Sequence, residues 1–381
     1  MLRLSPRWCL ALVAATLLAT ACRDQPAAPT TAPTAGEVIL YTALDRQFSE
    51  PILVGFTAQT GIKVLAVYDT ESTKTVGLVN RIRAEANRPR CDVFWNNEIL
   101  NTLRLKSEGL LQRCDPPQAQ DYPSQFRDAD GCWYGFAARA RVLIVNTNLV
   151  LPGEMPTSVR DLADPKWRGR TGIAKPLFGT TASHVACLFA LLGDEPAKGL
   201  LASFKANDLR IEQGNKACAE MVGRGELVFA LTDTDDAIIE VEAGRPVKIV
   251  FPDAVGPPGT PASQPADDQP RAPGKPVSPD PPGKPPTPEP LGTMVLPNTL
   301  AMVKGAPHPD AAARLIDYLL SPEVEASLAT GPSAQIPLNR RTRAASRVGR
   351  LTDIRPMPVD FAAAAERFST AAAYIEKEFL E

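Results

Sequence analysis

From Glu37 onward, short apolar runs alternate with stretches of helical periodicity, and this alternation admits few architectures. Val38-Ile39-Leu40-Tyr41 reads as a strand; Phe48, Ile52 and Phe56 then recur at helical spacing up to Gly61. Residues 62–67 read as a second strand, 73–86 as a helix on Val76, Val79 and Ile82, 91–95 as a third strand and 99–111 as a third helix. Repeated β-α-β order implies parallel strands with helices on both faces of the sheet. After a polar loop comes a strong strand over 141–146, and a second α/β body follows. Its strands are expected at 171–174, 227–231 and 247–251, and its helices at 181–192 and 216–224. Two such bodies in one chain suggest a cleft between two lobes.

The alternation is interrupted once. Residues 257–290 hold 14 of the 38 prolines, mixed with Ser, Asp, Gly and Lys. Proline removes a backbone donor and fixes φ, so this stretch reads as a solvated, partly polyproline loop. Regular structure is expected again at 294–296, 301–303 and in a helix over 309–320, which makes the loop an insertion in a folded body. A surface loop expansion of this kind costs little.

The first residues read as an address. Arg3 and Arg7 precede an apolar run from Cys9 to Leu18, too short to span a bilayer, and small residues lead to Cys22. Leu18-Ala19-Thr20-Ala21-Cys22 resembles a bacterial lipobox, with cleavage before Cys22 and a lipid on it. Residues 23–36, rich in Pro, Ala and Thr, then form a flexible tether. The expectation is an exported, periplasmic or cell-surface body held to a membrane through Cys22. Five cysteines follow, Cys91, Cys114, Cys132, Cys187 and Cys218; export would permit a Cys114–Cys132 disulfide, although spacing does not fix any pairing.

The 41 Lys and Arg against 43 Asp and Glu exclude a strongly basic nucleic-acid binder. Two histidines, His184 and His308, leave no clustered His site for zinc. Serine-hydrolase, P-loop and complete dinucleotide-binding motifs are absent from the sequence. What stands out is the apolar run Leu227–Leu231 ending in Thr232-Asp233-Thr234-Asp235-Asp236. Three carboxylates within four residues repel one another unless water or a cation separates them, and strand C-termini are where α/β folds gather ligands. A strand followed by Asp-x-Asp also fits an Asp-nucleophile phosphatase, with Asp233 as nucleophile and Asp235 as acid, and a plain polar turn before a helix fits as well. Thr180 and Thr181, opening an apolar helix, suit an anion, as does the similar start at Thr73; ordinary helix capping accounts equally for both.

These pieces, in their order, resemble bacterial extracellular solute-binding proteins of the ferric-iron type. The resemblance is carried by Ile39-Leu40-Tyr41-Thr42, by Cys91-Asp92-Val93-Phe94-Trp95 and by Ala138-Arg139-Ala140-Arg141-Val142. Asp164-Pro165-Lys166-Trp167-Arg168-Gly169, Gly225-Glu226-Leu227 and the run from Ala311 to Glu323 carry it further. It implies a two-lobed periplasmic-binding-protein-like α/β fold (type II) with the ligand cleft between the lobes. The first lobe is expected at 37–138 plus 291–345 and the second at 139–256 plus 346–381. It also implies a monomer that is not an enzyme and has no catalytic cofactor. Such a protein captures a small solute by lobe closure and hands it to an ABC permease and its ATPase.

Members of the family typically hold Fe³⁺ through a His, a Glu and two adjacent Tyr, with a synergistic anion. By the flanking motifs those positions fall on Asp45, on Asn97 with Glu98 beside it, and on Asp235 and Asp236. Each protein iron ligand of the pattern is therefore altered. The anion side is retained, with Thr180, Thr181, Asn215 and Arg139 at matching positions. The resemblance thus implies a ligand site of Asp45, Thr73, Asn97, Glu98, Arg139, Thr180, Thr181, Asn215, Asp233, Asp235 and Asp236, with Asp45, Asp235 and Asp236 on any metal. Carboxylates suit a hard cation such as Fe³⁺ together with an anion, which ranks first. They also suit the ammonium of an aminophosphonate or the hydroxyls of a sugar phosphate.

Overall fold

A computed structural model describes residues 36–69, 76–254 and 289–381. Residues 1–35, where the signal and tether are expected, Thr73 and nearly all of the proline-rich stretch lie outside the described residues. The first strands, β1 (Glu37–Thr42), β2 (Lys63–Tyr68) and β3 (Val93–Asn96), are parallel, with β1 central. They are joined by α1 (Arg46–Thr60) and α2 (Val76–Ala84). α1 stops where Gly61 takes a φ of 72° and donates its N–H to the Thr57 carbonyl, a left-handed cap that a residue without Cβ adopts at no steric cost.

The chain continues through α3 (Leu100–Ser107), β4 (Leu111–Gln112) and the 13-residue β5 (Tyr134–Asn146), every residue of which is buried. β6 (Thr171–Ala174), α4 (Gly179–Leu192), α5 (Asp194–Ala206), β7 (Arg210–Glu212), α6 (Asn215–Gly223), β8 (Phe229–Asp233), α7 (Thr234–Glu242) and β9 (Val247–Val250) follow. The chain then runs through β10 (Val295–Val303), α8 (Pro309–Leu319), α9 (Pro322–Thr330) and α10 (Phe361–Tyr374).

The strands run in the order β2-β1-β3-β10-β5-β8-β6-β7, with β4 beside β10 and β9 beside β5. The sheet is mixed rather than purely parallel: β10 is antiparallel to β3 and β5, and β5 is antiparallel to β8 and β9. β5 serves both halves, its first part pairing with β10 and its second with β8 and β9. The stretches expected as strands at 294–296 and 301–303 are one strand, β10, with a register shift between Leu296 and Asn298. Pro297 sits at that shift, where a missing N–H breaks no ladder bond.

Period-two alternation sorts the side chains onto the two faces. Val38, Leu40, Val142 and Ile144 join one apolar cluster; Tyr41, Leu143 and Val145 join the other. α4 is buried on nearly every side, and Phe189 on it meets Tyr374 of α10 with ring centroids 6.0 Å apart. Burying a side chain such as Phe189 contributes about 1.5–3 kcal/mol. No described helix is long and apolar enough to cross a membrane. The five described cysteines, Cys114 and Cys132 included, are free thiols.

Candidate functional site

Three helix starts meet at the C-terminal ends of β6 and β8. α4 begins at Gly179-Thr180-Thr181, α6 at Asn215, and α7 at Thr234, directly after Asp233 closes β8. Each start offers unpaired backbone N–H groups and a partial positive charge, so acidic groups settle there. Asp235 and Asp236 occupy the first turn of α7.

β5 brings the cations. Arg139 and Arg141 are two residues apart on a strand, hence on one face, and Arg141 lies directly opposite Asp233 across the β5–β8 ladder. Arg141 is fully buried. Its Nη1 donates to Asp233 Oδ1 at 2.7 Å, Asn215 Oδ1 at 2.8 Å and Thr180 Oγ1 at 3.2 Å, and its Nη2 to Thr181 Oγ1 at 3.1 Å. The other oxygen of Asp233 accepts from Thr180 Oγ1 at 2.6 Å and from Asn215 Nδ2 at 3.0 Å. Burial alone would push the Asp233 carboxyl up; the guanidiniums of Arg141 and Arg139, with the Thr180 hydroxyl, outweigh it and hold the group below the ordinary carboxylate range. Arg139 Nη1 reaches Asp235 Oδ2 at 3.0 Å and lies 3.8 Å from Asp233, while its Nη2 meets Asn298 Oδ1 at 3.5 Å.

Against this network opens a cavity of about 30 Å³. Asp45 and Asn97 reach it from the β1–α1 and β3–α3 connections; Arg139, Thr180, Thr181, Asn215, Asp233, Asp235 and Asp236 line it from the other half. Asp233, Asp235 and Asp236 each place a carboxylate oxygen within 4.8 Å of the others, a spacing that fits one cation. The Asn97 amide oxygen is buried with no hydrogen-bond partner.

Nine of the eleven residues expected from the sequence therefore gather at one cavity. Thr73 lies outside the described residues. Glu98 is not among the residues that line the cavity, and its carboxylate is engaged as a cap. Its carboxylate accepts from the N–H groups of Leu100 (2.7 Å) and Asn101 (3.1 Å), from Asn96 Nδ2 (2.9 Å) and from Ser183 Oγ (2.8 Å). The sequence reading passed over Arg141, although two arginines at period two in an apolar strand mark a polar face turned inward. Lys175 and Gln213, coil residues beside the helix starts that the sequence does not single out, line the same cavity, as does Phe178.

His184 sits one turn into α4, buried, with neither ring nitrogen hydrogen-bonded. Burial, reinforced by Arg141 and only partly opposed by Asp233, pushes its pKa down to about 3. The unfolded chain binds a proton here below about pH 6.5 and the folded chain does not. Stability is thus fully present above that value and is lost as pH falls toward 3, at about 1.4 kcal/mol per unit. Urea midpoints between pH 7 and 4 should fall more steeply for the native protein than for His184→Leu; parallel slopes would show that His184 is not held neutral.

The description of bacterial extracellular solute-binding proteins matches residues 101–257. A Synechocystis protein named iron uptake protein A1 is 29% identical over 342 residues, 86% of this chain and 85% of its own. The Fe(3+)-binding periplasmic protein of Serratia marcescens is 27% identical over 190 residues, 50% of this chain; the match spans 54% of that relative, about half its length. Iron-bound HitA from Pseudomonas aeruginosa shares the two-lobed fold with a TM-score of 0.72 at 23% identity, over 89% of this chain and 99% of that one.

Proposed function

We propose that this bacterial extracellular solute-binding protein, related to those of the ferric-iron type, captures a hard metal cation such as Fe³⁺ and delivers it to an ABC permease and its ATPase. The observation that carries the reading is the cavity itself: Asp45 and Asn97 from one side meet Asp235 and Asp236 from the other around a space sized for one or two water-sized bodies. The names of the sequence relatives, iron uptake and Fe(3+)-binding, favour iron as the cation. Carboxylate and amide oxygens suit a hard cation, although they bind Fe³⁺ less strongly than phenolates.

Capture works by lobe closure in this reading. The cation makes contacts from both lobes only in the closed state, and that difference in contact drives closure. A lipid on Cys22 holds the body at the membrane. A phosphorylated or zwitterionic solute fits less well, because the hydroxyls and guanidinium that would receive a phosphate already bind Asp233. The phosphatase alternative loses support for the same reason, since Asp233 is 1% exposed with donors on both oxygens.

Native mass spectrometry of the exported body, purified without chelator and then incubated with ferric nitrilotriacetate, tests this. The expected result is one iron per chain. An organic mass released on mild unfolding, with no iron uptake, would overturn it.

A further inference from the structure

The side-chain donors of Thr180, Thr181 and Asn215 and the two Nη groups of Arg141, at the helix-start side of the cavity, are engaged by the chain itself. The Thr180 hydroxyl donates to Asp233 Oδ2, and the Asn215 amide nitrogen spans Thr180 Oγ1 at 2.9 Å and Asp233 Oδ2 at 3.0 Å. Arg141 Nη1 is divided among Asp233, Asn215 and Thr180. The Thr181 hydroxyl donates to Asn215 Oδ1 at 3.3 Å. What these groups surround is a carboxylate fixed by the backbone at the end of β8 and 1% exposed. An oxyanion seated on these side-chain donors would have to displace Asp233, leaving a buried charge without them.

We propose that Asp233 is a built-in counter-anion, so that the site takes its metal cation bare. This rests on the cation reading above and sharpens it. The cation is held by Asp45, Asp235 and Asp236 and by the Asn97 amide oxygen, which is buried, unpartnered and lines the same cavity. Asp233 supplies the negative charge and occupies the donors that would otherwise recruit carbonate, phosphate or citrate.

The test loads the full exported body with Fe³⁺ from ferric nitrilotriacetate in buffer purged of carbon dioxide and free of phosphate and citrate. The protein is then desalted for native mass spectrometry. The expected increment is iron alone, and millimolar bicarbonate or phosphate should change the apparent iron affinity by less than about twofold. Asp233→Asn should reverse this: iron affinity rises about tenfold with added bicarbonate or phosphate, and the anion appears in the mass. Iron that appears in the native protein only with a co-bound anion would overturn the proposal while leaving the cation reading in place, whatever the variant does. No iron uptake in any buffer would overturn the cation reading and this inference with it.

Discussion

Replacing Arg141 by Met is expected to cost the protein about 3–5 kcal/mol of stability, roughly 5–8 °C in melting temperature. The side chain is fully buried and makes four polar contacts, of which the 2.7 Å bond to Asp233 is the shortest. Met fills much of the volume, so lost packing is a minor part of the cost. The larger part is the Asp233 carboxylate, left buried with a hydroxyl, an amide and the more distant Arg139. A double variant, Arg141→Met with Asp233→Asn, removes that uncompensated charge and should recover a good part of the loss. Urea or thermal unfolding of the metal-free protein measures both. A single variant within about 1 kcal/mol of the native protein, or a double variant worse than the single, would show that the pair does not hold this part of the fold together.

Replacing Asp235 and Asp236 together by Asn is expected to weaken Fe³⁺ binding at least roughly a hundredfold, about 2.7 kcal/mol, as read by calorimetry or competition with a chelator. Asn keeps the shape and the oxygen but gives up two formal negative charges, which interact with a trivalent ion in a largely water-free space. The metal-free protein should unfold at nearly the native midpoint. Relief of repulsion among three clustered carboxylates compensates for the lost ion pair between Arg139 and Asp235. Arg139 retains Asp233 at 3.8 Å and Asn298 at 3.5 Å. Unchanged iron affinity in a folded double variant would remove both residues from the site.

Much of this was legible in the sequence, for identifiable reasons. Most of the strand and helix order from Glu37 to Val250, α5 and β7 apart, is written in apolar periodicity, which needs no tertiary context to read. Helices α5, α9 and α10 were not anticipated. α10 carries Ala at seven of its 14 positions, so its buried face has few large residues to show a period, and its burial depends on α4 lying against it. The carboxylate cluster and the helix starts announced themselves by composition at an apolar strand end. Which way a side chain turns did not: Asn97 and Glu98 are neighbours, yet one lines the cavity and the other caps α3. Arg141 escaped notice because a guanidinium inside an apolar strand looks like a break in pattern until its partner, Asp233, is brought opposite by the β5–β8 pairing.

That pairing has a consequence for how the binding preference of such a chain can diverge. Side chains on a strand change face with every residue, so inserting or deleting one residue between Arg139 and Arg141 would send a guanidinium into the apolar cluster of Ala138, Ala140, Val142 and Ile144 on the far side of β5. The strand is locked by ladders to β10, β8 and β9 and has no slack to absorb such a change. The connections that carry Asp45, Asn97, Lys175 and Gln213 are coil and tolerate changes of length and residue. New cargo specificity should therefore arise by rewriting these connections around a constant pair of arginines.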